Sequence, residues 1–105
     1  MKKAVGFAVD PKGFFIVRVD AKAGVIAVEH YKNVYRTVNG RRIVVSGKVN
    51  RNFSGAGAQK LYREILAHNL VSRIDHAAYL GYELAKAEIA LKNRLDYEQD
   101  EELAV

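Results

Sequence analysis

Hydrophobic positions alternate with small or polar ones through the first half of the chain and recur every three or four residues through the second. Residues 3–9 alternate, with Val5, Phe7 and Val9 on one face and Ala4, Gly6 and Ala8 on the other. Asp10-Pro11-Lys12-Gly13 then supplies turn chemistry, so a first hairpin is predicted. Residues 14–20 (FFIVRVD) and 25–31 (VIAVEHY) read as the next two strands of an antiparallel meander, joined by a short turn ending at Gly24. Residues 34–38, Asn39-Gly40 and residues 41–47 predict a second hairpin, because an Asn-Gly pair suits the positive φ angles of a tight turn.

After a predicted loop over residues 50–53 the period changes. Ser54 is a candidate helix cap, and Ala58, Leu61, Tyr62, Ile65, Leu66 and Asn69 share one face of a short amphipathic helix. Ser72, with Asp75 three residues on, signals the start of a second helix running to about Arg94. The expected architecture is α+β: an antiparallel β-meander of about five strands, followed by a two-helix hairpin packed on one sheet face. Residues 1–95 form the expected single domain and residues 96–105 an acidic tail.

On a helical wheel, Ile74, Ala77, Ala78, Leu80, Leu84, Ala85, Ala87, Ile89, Leu91 and Leu95 occupy one broad arc of the second helix. His76, Tyr79, Tyr82, Glu83 and Lys86 lie opposite with Asp75, and two tyrosines on a polar stripe suggest a partner interface, most simply a homodimer. Glu88 continues the small-residue strip Ala77, Gly81, Ala85 into the apolar arc. Three roles compete for it: an ion pair with Lys92 or a sheet cation, a carboxylate reaching out at the helix end, or a general base in a pocket. The structural roles have precedence because no second convergent acid is present, so Glu88 is expected to be shielded and paired with a cation.

Charge adds a second candidate surface. The net charge is +5, but residues 96–105 hold five acids and no base, leaving 17 bases against seven acids elsewhere. Between residues 32 and 63 stand eight cations and no acid. Arg36, Arg41, Arg42, Lys48, Arg51, Lys60 and Arg63 are therefore the candidate polyanion-binding set, with Tyr31, Tyr35 or Phe53 available to stack on an unpaired base. The absence of cysteine excludes disulfides, thiolate metal sites and a cysteine nucleophile. His30, His68 and His76 come from unrelated elements, and no metal or cofactor is expected. Gly55 and Gly57 precede a helix without the order of a phosphate loop. No apolar run is long enough to span a membrane or serve as a signal peptide, which suggests a cytoplasmic protein.

The segments DPKGFFIVRVD, IAVEHY, LVSRIDHAAYLGYELAKAEIALK and YEQD resemble an uncharacterised domain family of archaea and cyanobacteria, found alone or beside relatives of the A subunit of tetrahydromethanopterin S-methyltransferase. The resemblance implies an accessory role near pterin or corrinoid one-carbon metabolism and carries no catalytic residues. Three functional expectations follow. The first is a non-catalytic binding or assembly module whose basic surface meets RNA, a ribosome or another polyanion. The second is an accessory domain that holds a one-carbon enzyme, or its cofactor, on the His76 face. The third is an enzyme using His76 or Glu88 as base.

Overall fold

The computed structural model describes residues 10–98. Its elements are β1 (Phe14–Asp20), β2 (Val25–Val38), β3 (Arg41–Gly55), α1 (Ala58–Ala67), α2 (Ile74–Lys92) and β4 (Tyr97–Glu98). The strands make one antiparallel sheet in the order β3-β2-β1-β4, so the α+β class holds. Among the described residues the strands are divided differently from the expectation. Residues 25–38 are one strand and residues 41–55 another, where shorter strands and a loop over 50–53 were predicted. Register shifts between His30 and Tyr31, and between Val34 and Tyr35, absorb extra residues and let the ladder run through polar positions. The predicted strand 3–9 lies outside the described residues.

The turns follow their chemistry. Asn39 and Gly40 have φ of 53° and 77°, as the Asn-Gly pair requires. Beyond Tyr31 this hairpin projects as an arm, and the molecule extends 47 Å along its longest axis. Midway along β2, Gly13 has φ of 115°, and a Cβ there would collide with the Tyr31 carbonyl. Only glycine lets the loop before β1 approach β2 this closely.

The core joins both halves of the chain. In register, Phe15 pairs with His30, Val17 with Val28 and Val19 with Ile26, so these side chains share a sheet face. They cluster with Phe53 of β3 and with Leu61, Ile65, Leu80, Leu84 and Ala87 from the helices. The ring of His68, just after α1, meets Phe53 with centroids 5.4 Å apart.

Both helix starts depart from the expected caps. Gly57, not Ser54, caps α1, and Arg73, not Ser72, caps α2, neither with a side-chain hydrogen bond. The face of α2 also needs correcting. Its buried residues are His76, Leu80, Glu83, Leu84 and Ala87, whereas Ile74, Tyr82 and Ile89 are 91%, 60% and 61% exposed. Apolar residues cover more than half of the wheel, so periodicity alone cannot choose the inner side; buried partners for His76 and Glu83 decide it. At the C-terminus, Asp96 accepts the Ala21 N–H at 3.0 Å and Tyr97–Glu98 pairs with β1, so ordered structure continues past residue 95. Residues 99–105 of the expected acidic tail lie outside the described residues.

Candidate functional site

Asp10 lies immediately before the sheet and is 1% exposed. Its carboxylate accepts the Lys12 N–H at 2.8 Å, the Ser72 hydroxyl at 2.9 Å and N–H at 3.2 Å, and His76 Nδ1 at 2.7 Å. Burial alone would raise the Asp10 carboxyl, but the hydrogen bonds from His76, Lys12 and Ser72 outweigh it and hold it below the ordinary value. A serine, an acid and a histidine thus meet, yet both the serine and Nδ1 of the histidine are spent on the carboxylate. The nucleophile–base hydrogen bond of a hydrolase is not made, and the trio works as a latch between the loop at Asp10 and the start of α2.

That latch fixes one wall of a cleft of about 360 Å³, lined by Pro11, Lys12, His30, Asn33, Asn50 and Asn69 among others. Asn33 Nδ2 donates to the Asp10 carbonyl at 2.7 Å, and Lys12 Nζ donates to Asn69 Oδ1 at 2.9 Å and to its carbonyl at 3.1 Å. Asn69 turns its backbone with φ of 55°, a conformation that asparagine tolerates at a helix end.

His30 is the floor of the cleft, 1% exposed and packed on Phe15 with ring centroids 4.9 Å apart. Burial lowers its proton affinity more than the Lys12 backbone and the Asp10 charge raise it, so the ring is neutral at pH 7. The register shift after His30 leaves Asn50 unpaired in the ladder and aims its amide at the ring, 3.1 Å from Nδ1. With Asn50 donating, Nδ1 is the acceptor and the ring proton sits on Nε2. Nε2 and the buried Asn33 Oδ1 have no well-formed hydrogen bond. Nε2 lies against the Lys12–Gly13 backbone, so Asn33 Oδ1 is the buried acceptor of the cleft that has no partner.

The sequence-expected sites are distributed differently. Arg41, Arg51, Lys60 and Arg63 are exposed, the first two on β3 and the others on α1. Arg36, Arg42 and Lys48 lie on the arm's backbone, with side chains outside the described residues. The partner stripe is split: Tyr82 is exposed, Tyr79 and Lys86 are half-buried, and His76 and Glu83 are buried at 5% and 3% exposure. Glu83 accepts the Tyr97 hydroxyl at 2.6 Å and faces Lys86 Nζ at 3.4 Å. Burial and the hydrogen bond to Glu83 push the Tyr97 phenol up to about 12. The hydrogen bond with Tyr97 and the Glu83 charge raise Lys86.

Glu88 is half-buried, and the expected cation is not its partner. Its carboxylate accepts the Ala58 N–H at 3.3 Å, at the positive end of α1. Gly57 has no side chain to cap that helix, and Glu88 supplies the acceptor from α2. The expected cation partner assumed that a shielded acid must meet a base; free backbone N–H groups satisfy the same need.

Asp10, Lys12, His30, Asn33, Asn50 and Asn69 did not stand out as a site from the sequence. One signal was present: in β2 the inward alternation Ile26, Val28 places a histidine at the next inward position.

The cleft and the latch fall within residues 9–100, which match the family model described as PterinBD-DUF4346. The chain belongs to this family. Among relatives, the Ycf91-like protein of Nostoc sp. is 36% identical, over 87% of this chain and 83% of its own length. An uncharacterized protein of Methanocaldococcus jannaschii is 32% identical over 88% of this chain, which spans 15% of that longer protein. No solved structure matches significantly. Among the described residues no helix is long and apolar enough to cross a membrane, and no group of histidines and acids is arranged to hold a metal ion.

Proposed function

We propose that this chain is a non-catalytic accessory module of pterin-linked one-carbon metabolism, and that the His30 cleft takes the amide-like edge of a pterin ring. The carrying observation is the buried Asn33 Oδ1, which has no hydrogen-bond partner, beside the Lys12 ammonium in the same cleft. A pyrimidinone edge offers a ring N–H for the Asn33 oxygen and a carbonyl for the Lys12 proton not donated to Asn69. The family's description names pterin, and the short share of the archaeal relative suits a module that also occurs within longer chains. Pterins fluoresce, so titration of a soluble pterin with the protein tests the reading directly. Quenching that saturates, and an affinity that falls about tenfold or more in Asn33→Ala, is expected. No saturable binding, or equal binding by the variant, refutes it.

A second reading rests on the arm. Lys32 and Arg41 stand exposed on it, with Arg51 exposed near its base. An acid-free arm suits RNA or another polyanion, whose affinity falls with salt as counterions are released. For single-stranded RNA, Arg41→Ala with Arg51→Ala is expected to reduce the slope of log affinity against log salt by roughly one to two. An unchanged slope removes the arm from consideration.

A further inference from the structure

The side-chain amide of Asn33 has one favourable orientation. Its nitrogen donates to the Asp10 carbonyl at 2.7 Å, and a carbonyl oxygen has no proton to give back, so the amide turned over would set two oxygens against each other. The same nitrogen meets the Tyr35 hydroxyl at 3.3 Å. Asp10 is itself held in place, because its carboxylate accepts from Lys12, Ser72 and His76. Oδ1 of Asn33 is therefore fixed as an acceptor of the cleft, buried and without a hydrogen-bond partner. Lys12, in the same cleft, directs two of its three ammonium protons to Asn69 and keeps one. The cleft thus sets a rigid acceptor beside a donor on a flexible stem. An unmatched ammonium swings to water, but a locked buried acceptor has no such escape, so Asn33 is the group that discriminates.

We propose that Asn33 is the specificity-determining residue of the cleft, and that it selects a ring whose nitrogen carries a proton beside a carbonyl, a lactam, over the same ring alkylated at that nitrogen. This inference rests on the pterin reading and narrows it from a class of ring to one atom of it. The lactam N–H of a pterin donates to Asn33 Oδ1, and the adjoining carbonyl accepts the remaining Lys12 proton. The oxygen is closed to solvent, so the ring reaches it by displacing the Tyr35 hydroxyl, the longer of the two contacts on the amide nitrogen. Tyr35 lines the same cleft and is 44% exposed, so its side chain has room to turn outward. With the lactam nitrogen methylated, Oδ1 faces a methyl group and stays unsatisfied.

Pterin and 3-methylpterin, titrated with the full chain and followed by ligand fluorescence, test this directly. The unmodified chain is expected to bind pterin about tenfold or more tightly than 3-methylpterin. Lumazine keeps the lactam and replaces the amino group by a second carbonyl, and is expected to bind like pterin. In Asn33→Ala, pterin loses its acceptor and 3-methylpterin loses nothing, so the preference is expected to shrink to within about twofold. Equal binding of pterin and 3-methylpterin by the unmodified chain overturns the inference and leaves the pterin reading standing. So does rejection of lumazine, which would make the amino group the selected feature, or a preference that persists undiminished in Asn33→Ala. Saturable binding of none of the three probes overturns both. The comparison of probes on the unmodified chain decides the matter even where the variant fails to fold.

Discussion

The two faces of α2 are inverted relative to the usual surface helix. The inner face buries a histidine and a glutamate, and the outer face leaves two isoleucines and a tyrosine in contact with solvent. The difference teaches that burial follows from available partners more than from side-chain type. His76 meets the Asp10 carboxylate and Glu83 meets Tyr97 and Lys86, so each polar group goes in with its hydrogen bonds made. Ile74 and Ile89 are not covered by the described elements and remain largely exposed.

The sharpest way to break this contrast is Asp10→Ala. It removes the acceptor for four hydrogen bonds and leaves His76 buried without its anion, so denaturant unfolding should show a loss of about 3–5 kcal/mol. The acid limb checks the same group. Its folded proton affinity is depressed, so its stabilisation is complete above its unfolded value near 3.8 and is lost as pH falls through the lower folded value. His30, also depressed, should withdraw stability earlier, as pH falls below its unfolded value of 6.5. A His30→Gln variant should therefore flatten the stability profile between neutrality and the carboxylate range.

A smaller effect is expected at the other inner polar group. Tyr97→Phe keeps the ring over Lys86 and deletes one hydrogen bond to a buried carboxylate, which should cost about 1.5–3 kcal/mol by the same measurement. On the outer face, Ile74→Glu should change the unfolding free energy of dilute monomer by no more than about 0.5 kcal/mol. A large loss there would mean that the outer face is covered within a single copy, and the contrast between the faces would collapse.

Local chemistry was readable and long-range placement was not. The strand Phe14–Asp20 and the Asn39-Gly40 turn agree with their patterns because backbone geometry at those residues is decided by neighbours in sequence. Residues 50–53 misread as a loop because Asn50 and Asn52 disfavour strands, while pairing with β2 overrides that preference. The inner side of α2 depended on Asp10 and Tyr97, 66 residues before His76 and 14 after Glu83. The cleft draws on residues 12, 30, 33, 50 and 69, and no spacing rule connects them. The arginines and lysines of residues 32–63 are spread over β2, β3 and α1, and sequence order does not say how those elements are arranged.

The Asp10 latch also bears on the order of events in folding. Its hydrogen bonds join residues 62 to 66 positions apart, and the Ala21–Asp96 contact closes a separation of 75. The arm closes across a two-residue turn and needs no such search. Contacts between distant segments are slow to find, so the arm is expected to zip early while the latch waits for both ends of the domain. Once shut, it makes β1 and α2 open together, which amide exchange would register as shared protection of the first strand and the second helix.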